Sequence, residues 1–176
     1  MRTAVGVVPR STEITRATTD LGSMFMVVSA AATLYRMGHR WEAGEVLVAG
    51  SLGWFVAHKT KKAFDRPRPY ESESTERHIL PPIGSSMPSG HSAVIFAVVT
   101  VLGKRSLPSR RWPYPLVAAW VPMTRIHLGV HYPCDTLIGA ILGHGLGRVV
   151  SAVSRRLQSR FEATRQTEQA VKIPTV

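Results

Sequence analysis

The amino-acid sequence predicts an all-α helical bundle that is embedded in a membrane through about five transmembrane helices. Five apolar segments rich in Ala, Leu, Val and Gly are separated by connectors that are mostly basic. Few stretches show the alternation of apolar and polar residues that is typical of strands. The 176 residues suit a single domain, 1–176, without an internal repeat.

Each apolar segment is expected to form one helix. In chain order these segments cover residues 21–35, 46–58, 91–103, 112–124 and 136–147. None of the uncharged runs reaches the ~18 residues that favour a spanning helix, and runs of ~10–14 more often mark buried core helices. Flanking Lys and Arg side chains that reach back to the polar interface would lengthen each span by about a turn.

The two ends of the chain are polar. Residues 1–20 mix arginines and carboxylates with hydroxyl residues and lack the apolar stretch of a signal peptide, so we expect an uncleaved interfacial segment. The tail after about residue 158 is expected to be disordered.

Small residues recur at every fourth position in two of the apolar segments. They are Gly139, Gly143 and Gly147 in the last segment, and Ala49, Gly53 and Ala57 in the second. Such spacing allows helices to approach closely within a bilayer. Loose composition in helices rich in Ala and Gly is the alternative explanation.

The net charge of +11 indicates an anionic partner. A nucleic acid is disfavoured because the charges flank apolar helices and no platform of stacking aromatic residues is evident. With five spans, slightly more Lys and Arg residues lie on the side of 36–41, 104–111 and the tail. The positive-inside rule then places that side in the cytoplasm and the opposite side outside the plasma membrane, although the arginines of 1–20 weigh against this.

Three groups of residues that can act in phosphate chemistry fall on the opposite side. In the last of them, His131 and Asp135 are four residues apart and would share one face of a helix. The carboxylate could accept a hydrogen bond from one imidazole nitrogen and leave the other free to attack. A structural histidine near an acidic helix start would give the same pattern.

The second group is Pro88-Ser89-Gly90-His91, directly before an apolar helix. Serine is a good N-cap, and glycine permits close approach to the backbone. The unpaired amides of a first helical turn form an anion site, and His91 could donate a proton to a group bound there. An ordinary helix cap is the alternative.

The first group supplies cations. Lys61 and Arg68 lie just after the second apolar segment, and flanking prolines stiffen the chain that carries Arg68. The planar guanidinium suits phosphate oxygens, and the lysine adds a compact charge. A solvated basic cluster is the alternative, and Lys59 with Arg66 offers a second register of the same spacing.

Together the three groups resemble the signature of the type 2 phosphatidic acid phosphatase superfamily, the lipid phosphate phosphatases. The signature K-x6-RP, PSGH and SR-x5-H-x3-D is matched from Lys61 to Asp135, with Thr124 in place of the serine. The motif core extends over 59–135. Integral members of the family commonly have six spanning helices, one more than the five expected here, and a missing helix would favour a homo-oligomer.

The resemblance implies a role for each matched residue. His131 would attack phosphorus and Asp135 would orient it. His91 would protonate the leaving alcohol and later activate water. The phosphoryl oxygens would be held by Lys61, Arg68, Ser89, Gly90 and Arg125. Neither a metal nor another cofactor is implied, and the sequence has no cluster with metal-ligand spacing.

The leading functional hypothesis is therefore a membrane phosphatase of the cell envelope. It would hydrolyse a lipid phosphate monoester or diphosphate, polyprenyl-linked or glycerolipid, through a phosphohistidine intermediate. A soluble acid phosphatase with the same motifs is an alternative, since the apolar runs are short. A vanadate-dependent haloperoxidase is another, although the chain is short for that class.

Overall fold

The computed structural model describes residues 10–72, 75–107, 109 and 111–171, and its regular elements are all helical. The helices in chain order are α1 (Arg10–Thr18), α2 (Met24–Arg36), α3 (Arg40–Phe64), α4 (Pro69–Ser72), α5 (Gly90–Arg105), α6 (Pro113–His127) and α7 (Pro133–Val171). A 3-10 turn, Thr19–Gly22, connects α1 to α2. The five predicted helices are α2, α3, α5, α6 and α7.

Local chemistry explains several helix ends. Ser23 caps α2 by accepting a hydrogen bond from the Met26 amide, and Ser89 caps α5 by accepting one from the Ser92 amide. Pro113 occupies the first turn of α6, where a missing N–H costs nothing. Gly38, with φ of +87°, makes the tight turn between α2 and α3.

Helix α5 lies at the centre of the bundle and packs against α3, α6 and α7. The hydrophobic core is built from small and β-branched side chains of four helices. Its buried members are Val27, Ala31, Val46, Ala49, Val94, Ala97, Val98, Val101 and Val150. At one end of this core, the guanidinium of Arg105 on α5 forms two hydrogen bonds, of 2.6 and 2.9 Å, with the buried Glu45 carboxylate on α3.

Helix α7 approaches the backbone of α5 through one stripe of glycines. A Cβ atom at Gly139 would overlap the carbonyl oxygen of Ser89, and one at Gly143 would overlap that of Ala93. Gly147 stands in the same relation to Ala97. The fourfold glycine spacing thus corresponds to close helix packing, as the sequence indicated.

Large apolar side chains cover the outward faces of the helices. Phe25 is 77% exposed, and Phe55, Leu116, Met123 and Ile141 are also exposed. Continuous exposed apolar surface is uncommon on soluble monomers and is typical of a surface in contact with lipid.

One helix of the described part of the chain, Pro133–Gln169, is long and apolar enough to cross a membrane. The pair Thr12–Gly22 and Met24–Arg36, bent by 62°, passes the same test if it forms one span. Helices α5 and α6 have only 16 and 15 residues. The five predicted helices therefore exist, whereas their number of membrane crossings stays a prediction.

The C-terminal tail differs from the sequence-based expectation. The polar tail is not disordered after residue 158, because α7 continues to Val171. Residues such as Gln, Arg, Glu and Ala propagate a helix well, and Gln158 bonds Glu162 one turn later. At the other end, α1 packs on α6, with Thr12 and Thr15 buried, and the interfacial position of this segment stays a prediction.

The close contact between α7 and α5 predicts unequal effects for two glycines of the same helix. Gly143→Ala should lower the stability by roughly 1–3 kcal/mol, because the added methyl meets the Ala93 backbone. Gly145→Ala is the matched control, since nothing lies within 4 Å of its Cβ position. Thermal unfolding of both variants in detergent measures the difference. Equal melting temperatures would contradict the packing described here.

Candidate active site

The three motif segments meet at one end of the bundle. Lys61 is on the last turn of α3, Ser89 to His91 form the start of α5, and His131 lies in the loop between α6 and α7. The Ser89 amide donates a 2.9 Å hydrogen bond to the carbonyl oxygen of Asp135. This bond joins the N-terminus of α5 directly to the first turn of α7.

His131 and Asp135 are buried side by side. The Nδ1 atom of His131 lies 3.7 Å from Oδ2 of Asp135 and has no hydrogen-bond partner among the described residues. Oδ2 accepts a hydrogen bond of 2.9 Å from the Tyr132 amide, which fixes the carboxylate. The carboxylate thus lies on the Nδ1 side of the imidazole, and His131 also lines a cavity. Catalytic contacts of this kind are often long before substrate binds.

Burial and neighbouring cations keep His131 neutral. Burial lowers the pKa of His131 to about 4, and the charges of Arg125, Arg68 and Lys61 act in the same direction. The contact with Asp135 partly offsets this effect. Because the imidazole loses its proton well below neutral pH, it is available as a nucleophile across the physiological range.

The cavity that His131 lines has a volume of about 270 Å³ and also contains Lys61, Gly90 and His91. A Cβ atom at Gly90 would meet nothing within 4 Å, so the first turn of α5 is open to a bound group. Ser89 is fully buried beneath this turn and accepts hydrogen bonds from the amide and hydroxyl of Ser92. Its hydroxyl therefore serves the helix cap rather than the cavity.

Arg68 is buried and is not among the residues that line this cavity. Its guanidinium donates to the carbonyl oxygens of Gly84, Ser85 and Val130 at 2.8 to 3.3 Å. These bonds connect the loop before α5 to the loop before α7. Burial lowers the pKa of Arg68 from its ordinary value. The predicted contact of Arg68 with a phosphate stays a prediction.

Arg125 reaches the site from the end of α6 and is also buried. Its Nη1 donates a 3.0 Å hydrogen bond to Oγ1 of Thr19, and Thr124 lies 3.1 Å from the same hydroxyl. Its Nε has no partner among the described residues. Sequence reasoning missed Thr19, because this residue lies in a polar segment with no motif.

Gly22 ends the same 3-10 turn and sits directly over His91. A Cβ atom at Gly22 would come within 2.7 to 2.9 Å of the His91 carbonyl oxygen, His91 Cβ and a methyl group of Val121. The 3-10 turn therefore covers His91 at one side of the site, which the sequence did not predict.

The choice of register at the first motif has a structural answer. Lys61 lines the cavity, whereas Lys59 is exposed and lies over the ring of Phe55. Arg66 belongs to the second register, Lys59 with Arg66, and it also contacts the site. Its Nη1 lies 2.9 Å from Oδ1 of Asp135. Its guanidinium also stacks on the ring of Tyr132 at 4.1 Å.

The structure thus brings Lys61, Gly90, His91 and His131 around one cavity, with Asp135, Ser89 and Arg68 behind them. Arg125 and His91 also line an adjoining cavity. Within the described ranges, no group of three or more His, Cys, Asp or Glu side chains has the geometry of a metal site.

The model of the PAP2 superfamily matches residues 42–159, which include all three motifs. The chain belongs to the PAP2 superfamily. This membership confirms the resemblance seen in the sequence and the prediction that the chain is a phosphatase.

Relatives and solved structures of this superfamily cover most of the chain. Decaprenylphosphoryl-5-phosphoribose phosphatase of Mycobacterium tuberculosis is 31% identical over 140 residues, which are 76% of this chain and 72% of that protein. LpxE of Aquifex aeolicus superposes with a TM-score of 0.73 at 24% identity, covering 82% of this chain and 87% of that one. The transmembrane PAP2 type phosphatidylglycerolphosphate phosphatase of Bacillus subtilis superposes with a TM-score of 0.71 at 23% identity. This superposition covers 86% of this chain and 80% of that one.

The Arg66–Asp135 contact predicts a shift in pH dependence. On the acid side, kcat/KM should begin to fall only at a pH below 6.5, the ordinary pKa of histidine. The reason is that burial lowers the pKa of His131, so that its imidazole protonates only at lower pH. Arg66→Gln removes a positive charge that offsets Asp135. The pKa of His131 should then rise, and the acid limb should move to higher pH by up to about one unit, since Arg66 is 34% exposed and partly screened.

Arg66→Lys keeps the charge and is the control for this measurement. Phosphate release from one substrate across pH 4 to 8 (roughly the range over which a histidine titrates) gives the three profiles. The substrate phosphate titrates equally in all three and cancels in the comparison. An unchanged limb in the Gln variant would show that Arg66 acts on stability alone.

Proposed function

We propose that this chain hydrolyses a lipid phosphate monoester or diphosphate, polyprenyl-linked or glycerolipid, through a phosphohistidine intermediate. The observation that carries the proposal is that His131 and His91 line one cavity together with Lys61 and the open first turn of α5. The relationship to the Mycobacterium tuberculosis phosphatase, which is named for a decaprenyl-linked substrate, supports a lipid phosphate.

The first chemical step transfers the phosphoryl group to the enzyme. The free nitrogen of His131 forms a bond to phosphorus while the bond to the leaving oxygen breaks, and His91 donates its proton to that oxygen. Asp135, 3.7 Å from Nδ1, stabilises the imidazolium that results. In the second step His91 takes a proton from water, the water oxygen bonds to phosphorus, and the bond to His131 breaks to release phosphate.

Preorganised positive charge stabilises the transition state in this proposal. Lys61 and the amides of Gly90 and His91 face the cavity, and Arg125 stands beside His91. Such groups act strongly because they need not reorganise as charge builds on the phosphoryl oxygens. Arg68 contributes its charge from behind and holds the two loops of the site together. These cations supply the charge stabilisation that a metal would otherwise provide, so the reaction is proposed to need none.

The chain is an integral membrane protein in this proposal, with α2, α3, α5, α6 and α7 crossing the plasma membrane. Its exposed apolar helix faces support this and disfavour the soluble acid phosphatase. A helix of 16 residues such as α5 is only about 24 Å long, shorter than the ~30 Å hydrocarbon core. The site at its start would therefore lie slightly below the surface, on the extracytoplasmic side if the positive-inside rule holds.

The first test is phosphate release by detergent-purified protein in EDTA from a panel of lipid and soluble phosphate esters. His131→Ala should lose at least about 10³-fold in kcat, because the nucleophile is gone. His39→Ala, at the exposed start of α3, is the matched control and should stay active. Turnover of soluble esters alone would support the acid phosphatase instead, and loss of activity in EDTA would contradict the metal-free reaction.

The role of His91 predicts a dependence on the leaving group. His91→Ala should cost about 10²–10⁴-fold with an alkyl phosphate, whose alkoxide needs protonation. It should cost far less with p-nitrophenyl phosphate, whose leaving group is stable without a proton. Rates with both substrates give the ratio. An equal loss on both would argue that His91 only helps to bind phosphate.

A further inference from the structure

A second cavity, of about 670 Å³, adjoins the first across His91. Its walls come from the 3-10 turn after α1 and from the loop of residues 77–82. His91 lines both cavities, whereas His131 lines only the smaller one. Apart from His91 and Arg125, the residues that line this larger cavity have no part in the proposed mechanism.

The geometry of phosphoryl transfer indicates which part of the substrate would occupy the second cavity. The attacking and leaving atoms lie roughly in line on opposite sides of phosphorus. His131 attacks from one side, so the leaving oxygen is next to His91 on the other. The larger cavity begins at His91 and lacks His131, and it therefore receives the leaving group.

The lining of the second cavity carries a net positive charge. Arg16, Arg77 and Arg125 line the cavity against one carboxylate, Asp20, which leaves an excess of two positive charges. Arg125 is buried, and its Nε lacks a partner among the described residues. The Arg77 guanidinium lies 4.9 Å from the centre of the Tyr70 ring, which holds it in place without consuming its hydrogen-bond donors.

The loop of residues 77–82 also adds apolar side chains to the same cavity. Leu80 is 88% exposed and lies beside Ile79 and Pro82, so the loop presents an uncovered hydrophobic edge. A ligand that fits this cavity carries negative charge, which the buried Arg125 meets beside His91, together with apolar surface. An alkyl chain attached directly to the scissile phosphate would instead displace water from three arginines without replacing their hydrogen bonds, which is costly.

We propose that the second cavity binds a second phosphoryl group, carried by the leaving group of the substrate between the scissile phosphate and the lipid chain. This inference rests on the proposed function and narrows it. The favoured substrates are a sugar or glycerol phosphate joined to lipid by a phosphodiester, or a lipid diphosphate. Phosphatidate and polyprenyl monophosphates, which lack the second group, are disfavoured. The Mycobacterium tuberculosis relative is named for a substrate with two such groups.

The test compares lipids of equal chain length that differ in the second phosphoryl group. Dioleoyl phosphatidate is paired with dioleoyl phosphatidylglycerophosphate, and a polyprenyl monophosphate with the polyprenylphosphoryl pentose phosphate. The wild-type protein in mixed micelles should prefer the second member of at least one pair by about tenfold or more in kcat/KM, the scale of a charge-assisted hydrogen bond. The pair with the larger preference identifies the linker.

The double variant Arg16→Gln, Arg77→Gln should remove that preference while turnover of the single-phosphate lipids changes by less than about twofold, since neither side chain reaches the first cavity. Arg36→Gln, an exposed arginine at the end of α2, is the matched control. Equal wild-type rates within both pairs, or an equal loss on all lipids in the double variant, would overturn the inference while leaving the phosphatase function intact. Wild-type protein that releases phosphate from no lipid would instead overturn the proposed function.

Discussion

The contact between α7 and the first turn of α5 is the constraint on which the site depends. Gly139 lies against the Ser89 carbonyl, and the Ser89 amide bonds the Asp135 carbonyl at 2.9 Å. One helix start supplies the open first turn and His91, while the other supplies the carboxylate that lies beside His131. Because the two backbones touch, the distance between these groups is set by packing rather than by flexible side chains, which is how a preorganised site avoids reorganisation during reaction.

Burial of Asp135 is the energetic cost of this arrangement, and its neighbours offset that cost. A buried carboxylate is tolerated only when it is paired and hydrogen-bonded. Here one oxygen faces Arg66 and the other accepts the Tyr132 amide beside His131. The same low-dielectric surroundings that make Asp135 costly also keep His131 unprotonated, which suits the nucleophilic role proposed for it.

The polar end of the bundle is closed by segments that carry no family motif. Thr19 accepts from Arg125, Gly22 packs on His91, and the loop of residues 77–82 forms the outer wall of the second cavity. Segments of this kind are free to differ between relatives while the chemistry stays the same. Selectivity among lipid phosphates is therefore expected to reside in the N-terminal segment and this loop rather than in the motif residues.

The sequence by itself determined the helical class, the five main helices and the family motifs whose residues are the candidates for the chemistry, because apolar segments and short motifs are local patterns. The sequence also indicated that the glycines of α7 pack closely on another helix, because glycines at every fourth position form one stripe along a helix. Only the tertiary structure decided which arginine meets Asp135, where Arg68 points and what covers His91. Those contacts join residues such as Arg66 and Asp135, or Thr19 and Arg125, that are 69 and 106 positions apart. Pairing over such distances depends on how the helices pack, and no local pattern encodes it.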